Sequence, residues 1–437
     1  MVSADNTLII GGGVTGLAAG LVSKHQIYES KQVPGGICSS YYLKPGQTEP
    51  IFSVPEDEEV YRFEIGGGHW IFGGDPIILD FIRSLTPVKK YGRSSAVYFP
   101  DDELYVPYPL QNNLAYLGKD IASKAINEMI SAPKRIPKTM EEWLEICFGK
   151  TLVEKFFAPF HELYTAGLWT TIAPQDAYKS PVNINAVIQG AFEQKPPEAG
   201  YNITYLYPER GLNDLAAKMA DKCNINYGKK IVEINTQKKE VFFENGDGSK
   251  YEKIISTLPL NKALEVSNLN QLDEEPDSYS SVLVLNIGGV RGKKCPNEHW
   301  LYIPYSKSGF HRVGFYSNVD RSFMPKSARE ENSKVSIYIE RAYKNGEKPS
   351  DKAIKEYSNS VVEELKTWGF ITEAETVHPT WIDVAYTWAN RDSNWKNLAM
   401  SELEKNNIYQ IGRYGRWIFQ GIADSIKDGF FIGGALG

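Results

Sequence analysis

The chain has 437 residues, 42% of them apolar, enough for two or three domains around a large core. Its formal net charge of −6 argues against nucleic acid as the main partner, while leaving room for a local basic pocket for phosphate. Cys38, Cys147, Cys223 and Cys295 form no CxxC and no metal-ligand spacing, so the chain reads as a cytoplasmic protein with reduced thiols and no metal centre.

The opening "MVSADNTLII" has no basic region and no long apolar run, so it does not read as a signal peptide. No stretch approaches the roughly 18 continuous apolar residues of a membrane span. "NTLIIGGGVTGLAAGLVSKHQIYES" predicts strand, glycine turn, helix and strand. "DPIILDFIRSL" (75–85) predicts a helix capped by Asp75 with Pro76 in its first turn. "LYVPYPLQNNL" (104–114) brackets Tyr108 with two prolines, which excludes a helix or a central strand there. From 120 to 195 the pattern is mostly helical, with "TMEE" (139–142) matching a capping box. Residues 229–258 read as three strands joined by polar turns, and "SVLVLNIGGV" and "SKVSIYIERAY" add further strands. "SDKAIKEYSNSVVEELKTW" predicts the last long helix. "KYEKIISTLP" and the glycine-rich end "IGRYGRWIFQG…GFFIGG" both read as returns to the first domain.

The first turn carries Gly11, Gly13 and Gly16 in G-x-G-x-x-G spacing, with Glu29 closing the second strand. In that pattern the first glycine allows the tight turn and the second lets backbone approach a pyrophosphate. The third permits close helix–strand packing, and the helix N-terminus favours the negative charge. Glu29 suits an adenosine ribose. A plain glycine turn would carry none of the later features, so a dinucleotide site is expected. Gly35 and Gly36 of "KQVPGGICSS" follow closely.

The run "IIGGGVTGLAAG…YES…PGGICSS" resembles the large FAD-dependent family that contains amine oxidases, protoporphyrinogen oxidase and UDP-galactopyranose mutase. FAD rather than NAD is therefore the expected cofactor. "EIGGGHWIFGGDPIILDFI", "YVPYPLQNNL", "PKTMEEWLEICFG", "WLYIPYSKSGFHRVGFYSN" and "GRYGRW" resemble the mutase branch in the same order. The resemblance implies that His69 and Gly68 lie against the flavin, with Gly412, Arg413 and Asp424 also on the cofactor. It implies that Tyr108 packs on a uracil, with Gln111 hydrogen-bonding nearby, and that Arg312 and Tyr386 take the sugar diphosphate. Two departures stand out. No arginine follows the helical segment, where Tyr178 and Lys179 stand instead, and Phe419 replaces a tyrosine; by their places in the resemblance, Lys179 and Phe419 are expected on the substrate side.

The fold class expected is α/β plus α+β: a Rossmann-like FAD-binding domain (1–88, 205–272, 399–437), an inserted, mainly helical domain (89–204), and an antiparallel-sheet substrate domain (273–398). The expected activity is a flavin-dependent nucleotide-sugar mutase interconverting pyranose and furanose forms, in the service of cell-surface glycans. Attack by reduced flavin N5 on the anomeric carbon is implied, with NAD(P)H as possible reductant. The alternatives are an amine oxidase-like oxidoreductase acting on another small molecule and a non-catalytic binder on the same fold. Nothing in the sequence fixes the oligomeric state.

Overall fold

The computed structural model describes residues 6–175, 183–192 and 203–437. Its centre is a five-stranded, all-parallel sheet in the order Ile225–Asn226, Gln26–Tyr28, Thr7–Ile10, Lys253–Ser256 and Ile408–Gln410. Thr7–Ile10 is buried at every position, as expected for an interior parallel strand covered on both faces. The helix Val14–Ser23 follows directly, and the C-terminal helix Ile422–Ala435 packs along it. The strand from "KYEKIISTLP" lies beside Thr7–Ile10, and the strand at 408–410 lies one place further out. Residues 229–258 hold four short strands rather than three. Ile231–Asn235, Glu240–Phe243 and Gly248–Lys250 form a separate small sheet, and Lys253–Ser256 leaves it for the parallel one.

A seven-stranded sheet forms the second layer, in the order Ile371–Thr387, Tyr279–Arg291, Lys334–Lys344, Arg312–Phe315, Trp300–Tyr302, Ser95–Phe99 and Leu104–Pro107. Its pairings are antiparallel except that of Trp300–Tyr302 with Ser95–Phe99. Side chains alternate across it. Leu283, Leu285, Ile337 and Ile339 share a core with Val361 and Leu365 of the helix Asp351–Thr367. Val282, Val284 and Tyr338 belong to the core shared with the nucleotide-binding layer. Arg312 and Glu340, directly opposite each other in the register, stand on that second face.

The local signals explain most boundaries. Asp75 accepts from the backbone N–H of Ile77 at 3.0 Å and opens the helix Pro76–Leu85. Thr139 Oγ1 accepts from Glu142 N at 3.2 Å, but Glu142 Oε2 accepts from Lys138 N rather than from Thr139, so the capping box closes one residue early. Leu104–Pro107 is an edge strand, where a proline is tolerated, and Leu110–Asn112 is a single 3₁₀ turn. The helix Met140–Leu152 runs into a wide turn of π type, Val153–Phe157, and then into Ala158–Tyr164.

Glu64, fully buried at the end of the strand Tyr61–Glu64, accepts from Ser40 Oγ at 2.7 Å and from Tyr207 OH. Burial pushes its carboxyl up to about 7, against the pull of those donors and of Arg62. The folded state therefore binds a proton that the unfolded chain has released, and stability falls as pH rises from the ordinary carboxylate range through about 7. Between pH 5 and 8 the melting temperature of Glu64→Gln should fall less than that of the parent. Parallel melting curves for the two across that range would refute this.

Candidate flavin and substrate site

The glycine turn has the geometry that a dinucleotide needs. Gly11 has φ +98°, and a Cβ there would lie 2.1 Å from Thr257 Oγ1. A Cβ on Gly16 would lie 1.9 Å from the Gly11 carbonyl oxygen. These two glycines are demanded by the fold itself. Gly13 is different: its φ of −71° suits any residue, and an added Cβ would meet nothing closer than the Gly35 carbonyl at 4.0 Å. Protein packing gives no reason for glycine there, whereas a pyrophosphate on the helix N-terminus does. Gly13 is the N-cap of the helix Val14–Ser23, and no side chain caps it. Gly35 and Gly36 are drawn in beside it, with Gly35 N donating to Gly12 O at 2.8 Å.

Glu29 is buried at the end of its strand. Its Oε2 accepts from Gly12 N at 2.6 Å, and its Oε1 from Lys31 N at 2.8 Å and Ser30 Oγ at 3.1 Å. The carboxylate thus braces the turn, and four lone-pair sites leave it capacity for a ribose hydroxyl. Gly412 N donates to Asp428 Oδ2 at 2.7 Å, and a Cβ on Gly412 would lie 2.7 Å from Thr15 Oγ1. Gly412 therefore packs the C-terminal return against the first helix. The residues present fit FAD.

A cavity of about 490 Å³ lies between the two layers and the helical part. Gly68, His69, Arg413 and Asp424 line one part of it, with Gly421 and Ile422 at the start of the C-terminal helix. Tyr108, Arg312, Tyr386 and Phe419 line it as well. Eight residues expected at a site from scattered segments thus meet in one space. Gln111 does not: it is fully buried and not on the wall. The helix Ile184–Ala191 packs on that turn so closely that a Cβ on Gly190 would lie 1.9 Å from Asn112 O, which covers Gln111 and Asn112. Lys179 lies outside the described residues.

The electrostatics of the cavity centre on a group the sequence reading missed. Arg312 Nη1 donates to both oxygens of Glu340, at 3.3 and 3.1 Å, and Tyr386 OH donates to Glu340 Oε2 at 3.4 Å. His311 Nε2 stands 3.5 Å from the same oxygen. The Glu340 side chain is only 4% exposed. Burial alone would raise its carboxyl, but Arg312 and His311 outweigh that and hold it down at about 2. Arg312 Nε is buried without a hydrogen-bond partner. A signal for Glu340 existed: a lone carboxylate in the apolar strand "KVSIYIERAYK", on the face opposite the Ile residues.

His69 is pushed down to about 4 by burial, helped by the charge of Arg413, so it is neutral at pH 7. Its Nδ1 is buried and has no hydrogen-bond partner. Arg413 donates to Gln420 O at 3.3 Å and Ala385 O at 3.2 Å, and lies 4.6 Å from the Phe419 ring centroid. Tyr108 packs against Tyr302 at 4.4 Å between centroids, with the guanidinium of Arg93 5.6 Å from its ring. Phe156, Phe157, Phe160 and Tyr164, from the π-type turn and the helix after it, complete an aromatic wall. This wall and Arg93 were not foreseen, because neither carries a spacing signal of its own.

Gly13→Val should separate fold from cofactor. The variant is expected to fold, with an apoprotein melting curve close to the parent's, and to purify without yellow colour. Gly16→Val should lose both. Flavin recovered from Gly13→Val at one per chain would refute the placement.

The family model for flavin-containing amine oxidoreductases matches residues 16–281. Among solved structures, a reduced UDP-galactopyranose mutase superposes with a TM-score of 0.79 at 20% identity, covering 98% of this chain and 94% of that one. A CLA-producing fatty acid isomerase from P. acnes gives 0.59 at 14%, covering 99% and 98%. Putrescine oxidase bound to putrescine gives 0.59 at 12%, covering 99% and 98%. At these identities the structures speak for the fold, which is that of the FAD-binding amine oxidase-like proteins. With the glycine turn, Glu29 and the family match in agreement, the chain belongs to the flavin-containing amine oxidoreductase family.

Proposed function

We propose that the chain is a flavin-dependent nucleotide-sugar mutase that interconverts pyranose and furanose forms, with UDP-galactose or a related nucleotide sugar as substrate. The observation that carries this reading is the convergence of His69, Tyr108, Arg312 and Tyr386 on one cavity. The mutase fold's TM-score of 0.79, against 0.59 for the oxidase, favours it further. Bound and reduced, the flavin supplies a nucleophile at N5 and is regenerated each turnover, with NAD(P)H as the proposed primer. The chain's own residues do the rest. Tyr108, backed by Tyr302, offers an aromatic face to the base. Arg312 and Tyr386 supply donors to phosphate oxygens. His69, neutral, presents hydrogen-bonding nitrogens rather than a charge to the flavin side of the cavity. The aromatic wall excludes water from the reacting carbon. Lys179 is proposed to recover part of the missing arginine's contact.

A second reading, net oxidation of a less anionic small molecule, is favoured by one observation: Glu340 already takes donors from both Arg312 and Tyr386.

Dithionite- or NAD(P)H-reduced protein should isomerise the sugar with no reductant consumed per turnover. Equal turnover by oxidised enzyme in air, or stoichiometric consumption of oxygen, would exclude the mutase reading and favour the second. Arg312→Ala should weaken UDP binding roughly ten- to a hundredfold, the loss of one charge-assisted contact, while leaving the flavin in place. A flavin fluorescence titration reads both.

A further inference from the structure

Both donors assigned above to the diphosphate are already used inside the protein. Arg312 Nη1 and Tyr386 OH converge on Glu340, within 3.1 and 3.4 Å of the same oxygen, Oε2. Arg312 and Glu340 are cross-strand partners in register, so the pair is set by the sheet rather than by chance side-chain rotamers. Glu340 cannot swing away to solvent, since its side chain is 4% exposed and Gly67 closes over it: a Cβ on Gly67 would lie 3.1 Å from Glu340 Oε1. The carboxylate offers two anionic oxygens to the donors that a phosphate would use.

We propose that Glu340 is a specificity-determining residue that competes with ligand phosphate for Arg312 and Tyr386, and so holds the affinity for nucleoside diphosphates low. This rests on the nucleotide-sugar reading. Two features support it. The guanidinium engages Glu340 through one nitrogen, Nη1, while the Arg312 side chain on the cavity wall stays 20% exposed, so the pair is not a closed two-pronged bridge and a ligand can still approach the arginine. The carboxylate also stays ionised, held down by Arg312 and His311 against its burial, so the competitor keeps its charge at neutral pH. A diphosphate entering the cavity meets a fixed anion behind its arginine, and that repulsion persists in a low-dielectric site.

The test is a titration of reduced holoenzyme, parent and Glu340→Gln, with UDP and with uridine, followed by flavin fluorescence. The amide keeps the size and one acceptor oxygen but removes the charge. UDP should bind the variant roughly ten- to a hundredfold more tightly, the range of a charge-assisted contact. Uridine, which carries no phosphate, should bind both proteins within about twofold, since nothing in the proposal acts on the base. Arg312→Met combined with Glu340→Gln should gain nothing over Arg312→Met alone. Glu340→Gln leaves Arg312 without a buried counter-charge, so it should melt below the parent and recover with UDP. Should it fail to retain flavin, Glu340→Asp, with the carboxylate drawn back by one methylene, should shift UDP affinity in the same direction. UDP binding to the parent with no gain in these variants would overturn the proposal and leave the nucleotide reading standing. Failure of every protein to bind either UDP or uridine would overturn the nucleotide reading and this proposal with it.

Discussion

The strand Thr7–Ile10 is paired on both edges and buried along its whole length, and that position forces the chain to return to it. A four-residue strand in the middle of a parallel sheet must find neighbours from distant sequence, because parallel pairing cannot be made by a tight turn. Here the neighbours come from residues 26–28 on one side and 253–256 on the other, with 225–226 and 408–410 outside them. The excursions between these returns carry the cavity. The first brings the His69 loop, Tyr108 and the aromatic wall. The second brings Arg312, Glu340 and Tyr386. The last return brings Arg413, Phe419 and Asp424. The cavity exists because two excursions from one sheet and the segment after its last strand close on each other.

The two glycine roles in the first turn illustrate how a ligand leaves its mark on a ligand-free chain. Gly11 and Gly16 are explained by backbone conformation and by packing of the helix on the strand. Gly13 satisfies neither condition and still lacks a side chain. Its surroundings make sense once a pyrophosphate on the uncapped helix end is included, which agrees with the family match over residues 16–281.

The cavity is richly aromatic, and on its wall Arg312 and Glu340 form an ion pair. A buried carboxylate such as Glu340 is tolerable only with its donors in place, because desolvation of an isolated ion costs several kcal/mol. Arg312 and Tyr386 meet that requirement from two different strands. The pair of Arg312 and Glu340 joins two adjacent strands across the sheet's inner face, on the cavity wall.

The sequence by itself determined what depends on neighbours along the chain. Gly11, Gly16 and Glu29 encode the strand–turn–helix unit through local geometry, Gly13 leaves space on its helix end, and Asp75 marks its helix through a cap two residues away. The segments "GGHWIF" and "GRYGRW" could be placed at the site through the family they resemble. Tertiary structure alone decided matters that rest on long-range register. Glu340 faces Arg312 because the strands 312–315 and 334–344 align antiparallel at that residue, and no spacing within either strand states it. Gln111 is sealed off because the helix 184–191, more than seventy residues further on, packs against its turn. Local hydrogen bonds and glycine conformations are written in short spans of sequence, whereas the pairing of charges and the covering of amides depend on which distant surfaces the hydrophobic cores bring together.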